Sequence, residues 1–494
     1  MASFRQLVVN FSHFFGGFAV SLVLGLLTFP ILTRLLTHEE YGILGLVSST
    51  LAIMVAFAKG GLSDGIIRFY REYANDATRL RVFTSTTVAR GLLFAGVVTA
   101  LYAALIPSFN TYLGIDPRFT APFLIMSVYL LVRPLNAIVM NYLRAVGKTL
   151  MFNVTNVVGR VSSIVLSIGL LLYAAHGLSG YFFGTVLAEL LVTAILFRWF
   201  FANYEFAFRD VSKSLAWSLV RFGAPLLMTE FSYLLLQYTD RFLIVAFRGE
   251  ATLGFYTVGY SLASYINDLV MFPLAYAIVP LYTELYTKSG MEPTRAFLNR
   301  ALNYYIMGVI PLCIGYAAVC HDTIVVLASD KYAASSTFSP IILIGLVFLG
   351  VNSILNAGLY LTKRSMHILA VMLCAAAVSI GTNLWLLPSW GATGAALAML
   401  AAGITSALLT VLLSFRHIAL RVDISTLIYY LVLSGVMYGI LALIHFDPAW
   451  LRLIVKLLLG AAIIGAGALY REVELRDHLR RFIAKLGRSA DAGS

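Results

Sequence analysis

Apolar runs of roughly 20 or more residues recur from one end of the chain to the other, separated by short polar connections. Each run is long enough to cross about 30 Å of hydrocarbon as a helix. The pattern predicts about fourteen spans, at 7–36, 41–69, 82–106, 119–143, 150–174, 179–198, 215–246, 252–285, 298–320, 337–361, 366–388, 391–415, 426–445 and 450–470. Connections this short pack neighbouring helices antiparallel. The first run is too long for a signal-peptide core and no small-residue cleavage site follows it, so it is read as a retained span. The stretch after the last run behaves differently: Leu475, Leu479, Phe482 and Leu486 share one helical face among arginines, which predicts a basic amphipathic helix lying on a membrane surface.

One stretch returns. At an offset of 212 residues Gly42, Ser49, Leu62, Ile66 and Tyr70-x-Glu72 become Gly254, Ser261, Leu274, Ile278 and Tyr282-x-Glu284. Further on, Asn141 and Lys148-x-x-Met151 return as Asn356 and Lys363-x-x-Met366, and Gly177-x-x-Gly180 as Gly391-x-x-Gly394. Two copies of a six-span unit account for this frame, and an even number of spans keeps both copies in one orientation, related by an axis along the membrane normal. The expected fold is therefore an all-α polytopic membrane protein with two pseudo-symmetric six-helix lobes and two added helices. The expected boundaries are 1–205, 206–420, 421–470 and a basic tail at 471–494.

Composition agrees. Hydrophobic residues make up 60% of the chain and charged residues 12%, whereas a soluble protein carries roughly a quarter charged. The net charge of +12 would suggest nucleic acid in a soluble chain, but here topology explains it. With the N-terminus inside, Arg68, Arg71, Arg79, Arg81, Arg144, Lys148, Arg198, Arg209, Lys213, Lys288 and Arg295 all fall on cytoplasmic connections, as do most other cations. The opposite connections hold Arg118, Arg248 and Lys331, with Arg34 and Arg452 at their edges. Such asymmetry places both termini in the cytoplasm. Cys313, Cys320 and Cys374 lack metal-ligand spacing and lie in or beside apolar runs. No metal, cofactor or nucleic-acid partner is expected.

Charges inside the spans carry the chemistry, because each costs at least about 2.5–3.5 kcal/mol at mid-membrane and normally faces a cavity or a partner. The first six spans hold Lys59, Arg90, Arg133 and Arg160 against Asp64 and Glu189. Asp64 and Arg68, four apart, are expected to pair. Span seven holds Arg221, Glu230, Asp240 and Arg241, and span eight Asp268. Asp240 and Arg241 are adjacent and so are each expected to find a partner elsewhere. Spans nine to thirteen carry no charge in their cores. Lys59, Arg90, Arg133 and Arg160 are thus candidates to line a cationic, anion-binding cavity, since guanidinium suits phosphate in particular. Glu189, Glu230, Asp240 and Asp268 are candidates for ion coupling, by proton or sodium.

Several loose motifs resemble the polysaccharide-transporter branch of the MATE-like (multidrug/oligosaccharidyl-lipid/polysaccharide) exporter superfamily. They are Phe29-Pro30-Ile31-Leu32-Thr33-Arg34-Leu35-Leu36-Thr37-x-x-x-Tyr41-Gly42, Gly61-Leu62-Ser63 with Ile67-Arg68-Phe69, Asp240-Arg241-x-Leu243-Ile244 and Leu253-Gly254-x-Tyr256. The family usually has an acid before the Gly-Leu of span two, where this chain has Lys59. The resemblance implies a Wzx-type flippase of the bacterial inner membrane. Such proteins move undecaprenyl-diphosphate-linked oligosaccharide to the periplasmic leaflet by alternating access, for O-antigen, capsule or exopolysaccharide. It also implies membrane lipids as surroundings, and a polysaccharide polymerase and chain-length regulator as candidate partners. A MATE-like cation or drug antiporter is the nearest rival, but it calls for an acid-dominated cavity. A membrane enzyme of polysaccharide assembly fits less well, because no large external loop and no His-centred intramembrane motif is present.

Overall fold

The structure is a computed structural model, described here for residues 4–173, 177–416 and 418–471. The predicted basic tail helix lies outside the described residues. Helices account for nearly all of the described chain. They are α1 (Phe4–Leu35), α2 (His38–Lys59), α3 (Leu62–Tyr73), α4 (Ala77–Tyr112), α5 (Thr120–Val146), α6 (Thr149–Tyr173), α7 (Gly177–Asn203) and α8 (Lys213–Ser289). After these come α9 (Met291–Leu327), α10 (Ser339–Gly350), α11 (Asn352–Leu355), α12 (Ala357–Leu361), α13 (Ser365–Ser414), α14 (Ile424–Ala442) and α15 (Ala449–Arg471). Among the described residues, eleven stretches are long and apolar enough to cross a membrane. Two of them, Lys213–Met271 and Met366–Ser414, hold two spans each, and with α1 they make up the fourteen.

Glycine sets the breaks. An unbroken α8 would run to about 115 Å, several membrane thicknesses. Gly249 leaves helical geometry at φ 77°, ψ 175°, and so divides α8 into two spans. Gly391 (φ 55°) divides α13 in the same way. The predicted span 41–69 is likewise interrupted. Gly60 and Gly61 both take positive φ, ending α2 and restarting the chain as α3. At the other end of α2, Thr37 and Glu40 form a reciprocal capping box: the Glu40 N–H donates to the Thr37 hydroxyl (3.2 Å) and the Thr37 N–H to the Glu40 carboxylate (2.9 Å).

The two halves of the chain meet where α2 packs against the second span of α8. A Cβ on Gly42 would lie 2.1 Å from the Glu250 carbonyl oxygen, and one on Gly254 would lie 2.0 Å from that of His38. One level deeper, a Cβ on Gly45 would lie 2.6 Å from Thr257 Oγ1. Glu250, Gly254 and Thr257 are the offset-212 counterparts of His38, Gly42 and Gly45. Each helix therefore touches its own counterpart at the same level, the reciprocal contact that a twofold axis imposes. In lipid, such backbone approach through glycine replaces the hydrophobic drive available in water.

The few cations on this face of the protein fasten it. Arg34 donates to the Val326 carbonyl (2.9 Å), Lys331 to that of Leu36 (2.7 Å) and Arg248 to that of Leu387 (3.3 Å). His38 stacks on Phe255 with ring centroids 4.6 Å apart. On the opposite, basic side, the backbones at Gly61 and Gly223 come equally close. The last two helices are held by a buried charge cluster. Asp322 of α9 accepts from Arg452 and Lys456 of α15, each at 2.8 Å. Helix α9 runs seven residues beyond the predicted end of span nine and so brings Asp322, near its end, into this cluster.

Candidate functional site

A cavity of about 580 Å³ opens between α1, α2, α5, α6, α7 and α8. One face of α2 supplies Leu44, Ser48, Leu51, Ala52, Val55 and Lys59, spaced as a helix presents a single side. Lys59 ends that face, at the negative end of the α2 dipole, just before Gly60 turns the chain away. Arg133 enters from α5, Arg160 from α6 and Glu230 from α8. Tyr41, Tyr129, Tyr181 and Tyr265 supply aromatic surface with a polar tip.

The ion pairs show which charges are neutralised. Lys59 Nζ lies 2.6 Å from Glu230 Oε1, joining α2 in the first half of the chain to α8 in the second. Arg133 Nη1 lies 3.3 Å from Glu189 Oε1 on α7. Arg160 makes no ion pair with any described residue. It lines the cavity together with Tyr129, Tyr181 and Tyr265. Lys59, Arg133 and Arg160 are thus set against Glu230 and Glu189, and one cation is left over.

The remaining candidates divide. Arg90 does not line this cavity; it sits half-buried on α4, its Nε shielded and without a hydrogen-bond partner among the described residues. Asp240 is buried away from the cavity; it and Arg241 each find a partner elsewhere, as expected, but they also pair with each other, which was not expected. Arg241 Nη1 reaches back to Asp240 Oδ1 at 3.1 Å and to the Gln237 carbonyl at 2.7 Å. The Tyr256 hydroxyl donates to the other Asp240 oxygen, and the guanidinium lies 4.2 Å from the Tyr260 ring centroid. A side chain as long as arginine can fold over its neighbour when burial leaves it nowhere wetter to go. The Asp64–Arg68 expectation is corrected as well: Arg68 pairs with Glu72 at 2.8 Å, one turn further along α3. Asp268, half-buried in α8, has only Asn267 (3.4 Å) and Ser264 (3.5 Å) as partners and no cation among the described residues.

The tyrosines were not singled out from the sequence, although a signal existed. Tyr129 stands four residues before Arg133, and Tyr181 eight before Glu189, so each shares a helix face with a mid-span charge.

Fourteen spans around a central charged cavity define a polytopic membrane protein with the architecture of a transporter. A family model described as "Polysaccharide biosynthesis protein" matches residues 9–286, more than half of the chain, and the protein belongs to that family. The fold is similar to that of a lipid II flippase MurJ in an inward closed conformation, with a TM-score of 0.78 at 15% identity over 95% of this chain and 99% of that one. It is also similar to an inward-facing multidrug resistance MATE family transporter of the MOP superfamily, with a TM-score of 0.67 at 15% identity over 80% of this chain and 94% of that one. Comparison with curated proteins finds no significant sequence match.

Proposed function

We propose that this protein is a flippase that carries a lipid-linked oligosaccharide, on undecaprenyl diphosphate, from the cytoplasmic leaflet to the opposite leaflet of the bacterial inner membrane. The observation that carries the reading is the surplus cation of the cavity. A site whose acids are already engaged and whose Arg160 is not attracts an anion and repels a cationic drug. Arginine's planar fork suits a diphosphate, and Lys59 and Arg133 line the same cavity. Family membership supports a role in polysaccharide assembly, and the distribution of Lys and Arg supports cytoplasmic termini.

The geometry also suggests how binding is linked to movement. Lys59 and Glu230 belong to different halves, and a diphosphate arriving at Lys59 competes with Glu230 for it. Loading the cavity therefore loosens one tie between the halves, the differential contact that alternating access requires. Asp268, with no cation to hold, is the best placed of the acids for ion coupling. A polysaccharide polymerase and a chain-length regulator are the expected partners downstream.

Deleting the gene and fractionating the membrane lipids tests the proposal. The expected result is accumulation of a complete lipid-linked glycan on the cytoplasmic leaflet, relieved by the intact gene and not by its Arg160→Ala variant. Unchanged lipid-linked glycans after deletion would refute it.

A further inference from the structure

Helix α6 packs against α7, α1 and α5, and its sequence divides into three faces. Gly159 and Leu166 face α7: a Cβ on Gly159 would touch Val192, and the Leu166 carbonyl lies under Gly184. Val154, Val158, Val161 and Val165 are 40–62% exposed, a lipid-facing row. The third face holds Asn153, Asn156, Arg160 and Ser163, spaced 3, 4 and 3 residues apart; Ser167, next in the series, is buried against α7 beside Gly184. At about 100° per residue these four side chains fall within about 80° of arc, centred about 150° from the valines. The polar row is therefore turned away from lipid along about 15 Å of helix.

Arg160 and Ser163 already line the cavity. Toward the basic end of α6, Asn156 is exposed and uses its amide N–H on the Phe152 carbonyl (3.1 Å), leaving its oxygen available. The Asn153 amide nitrogen is shielded from solvent and has no partner among the described residues. Unsatisfied amides on a membrane helix are costly unless a wet or polar ligand meets them.

We infer that this row is a track for the uncharged sugar part of the cargo, running from the cavity toward the basic face. The inference rests on the flippase reading and adds a subsite to it. Amide and hydroxyl side chains offer donors and acceptors together and carry no charge, matching sugar hydroxyls rather than phosphate. The tyrosines around Arg160 continue the same surface with aromatic faces. Arg160 stands within the row and so marks the junction where the diphosphate ends and the glycan begins.

Two measurements on the full-length protein test this. In a background with Cys313, Cys320 and Cys374 changed to serine, single cysteines at 153, 156 and 163 in membrane vesicles should react with a membrane-impermeant thiol reagent. Cysteines at 154, 158 and 165 should not. Equal reaction on both faces, or none on the polar row, overturns the track. Purified protein is then titrated with farnesyl diphosphate and with farnesyl-diphospho-N-acetylglucosamine. Asn153→Leu with Asn156→Leu should weaken the sugar-bearing probe about tenfold, the loss of two hydrogen bonds, and leave bare farnesyl diphosphate unchanged. Equal weakening of both probes overturns the inference. If wild-type protein binds neither probe, the anionic-cargo reading itself fails, while the labelling pattern still decides whether the row is wet.

Discussion

Replacing Gly42 with alanine would add a single methyl group at the contact between the two halves. That Cβ would sit 2.1 Å from the Glu250 oxygen and 2.9 Å from the Gly254 nitrogen, where a tolerable contact needs at least 3.0 Å. Both obstacles are backbone atoms, so no side-chain rotation relieves them. The helices must part by roughly 1 Å, an overpacking cost of about 1–3 kcal/mol levied only where the two helices touch. A bias of that size shifts an open–closed equilibrium roughly 5- to 150-fold. The shift can be read by placing a cysteine at Ser48, on the cavity wall, in a background free of native cysteines. A bulky impermeant thiol reagent is then applied from the face that carries His38 and Glu250. The labelling rate should rise by that factor in Gly42→Ala. Gly96→Ala, where a Cβ meets nothing within 4 Å, should label at the parental rate. A folded Gly42→Ala protein that labels no faster than the parent would refute the reasoning that this contact holds that face closed.

Three further outcomes follow from the charge geometry. Lys59→Ala and Glu230→Ala each strand one member of an ion pair, so each should impair transport, and the double variant should lose less than the sum of the two; a strictly additive double-mutant cycle would count against the interhalf tie. Asp322→Asn leaves Arg452 and Lys456 facing each other in a buried site and should cost about 3 kcal/mol, read as a clearly lower melting temperature in detergent; an unchanged melting temperature would show that the cluster does not hold α15. Asp268→Asn should abolish the response of transport to an imposed ion gradient while farnesyl diphosphate still binds; a gradient response equal to wild type would remove Asp268 from the coupling role.

The spans were readable in advance because a bilayer demands apolar length, and length is a property of one segment at a time. Apolar length also sets Lys59, Arg133 and Arg160 inside spans, and one cavity is lined by all three. What could not be read is which helix faces which. Glu230 lies 171 residues from Lys59 and Glu189 56 from Arg133, and helical period says nothing about partners so far away. Where a local rule was applied, a better local partner won, since Arg68 had Glu72 one turn on as well as Asp64 one turn back. Arg241 shows the opposite error. Adjacent side chains leave a helix in different directions, yet a long flexible one still reaches its neighbour.

The contact between α2 and α8 bears on how unequal the two halves can become. At one level both residues are glycine, Gly42 and Gly254. At the next, Thr257 stands against Gly45, its hydroxyl 2.6 Å from where a Cβ would be. Two identical chains meeting on this axis would set threonine against threonine, and the helices could not close. Joined in one polypeptide, the copies can divide the space at each level, one keeping the room that the other fills. The same freedom lets Lys59 face a cavity where its counterpart, Met271, packs in the core. A fused pair can thus reserve one half for gripping cargo and the other for the ion that drives it, a division of labour closed to a symmetric dimer.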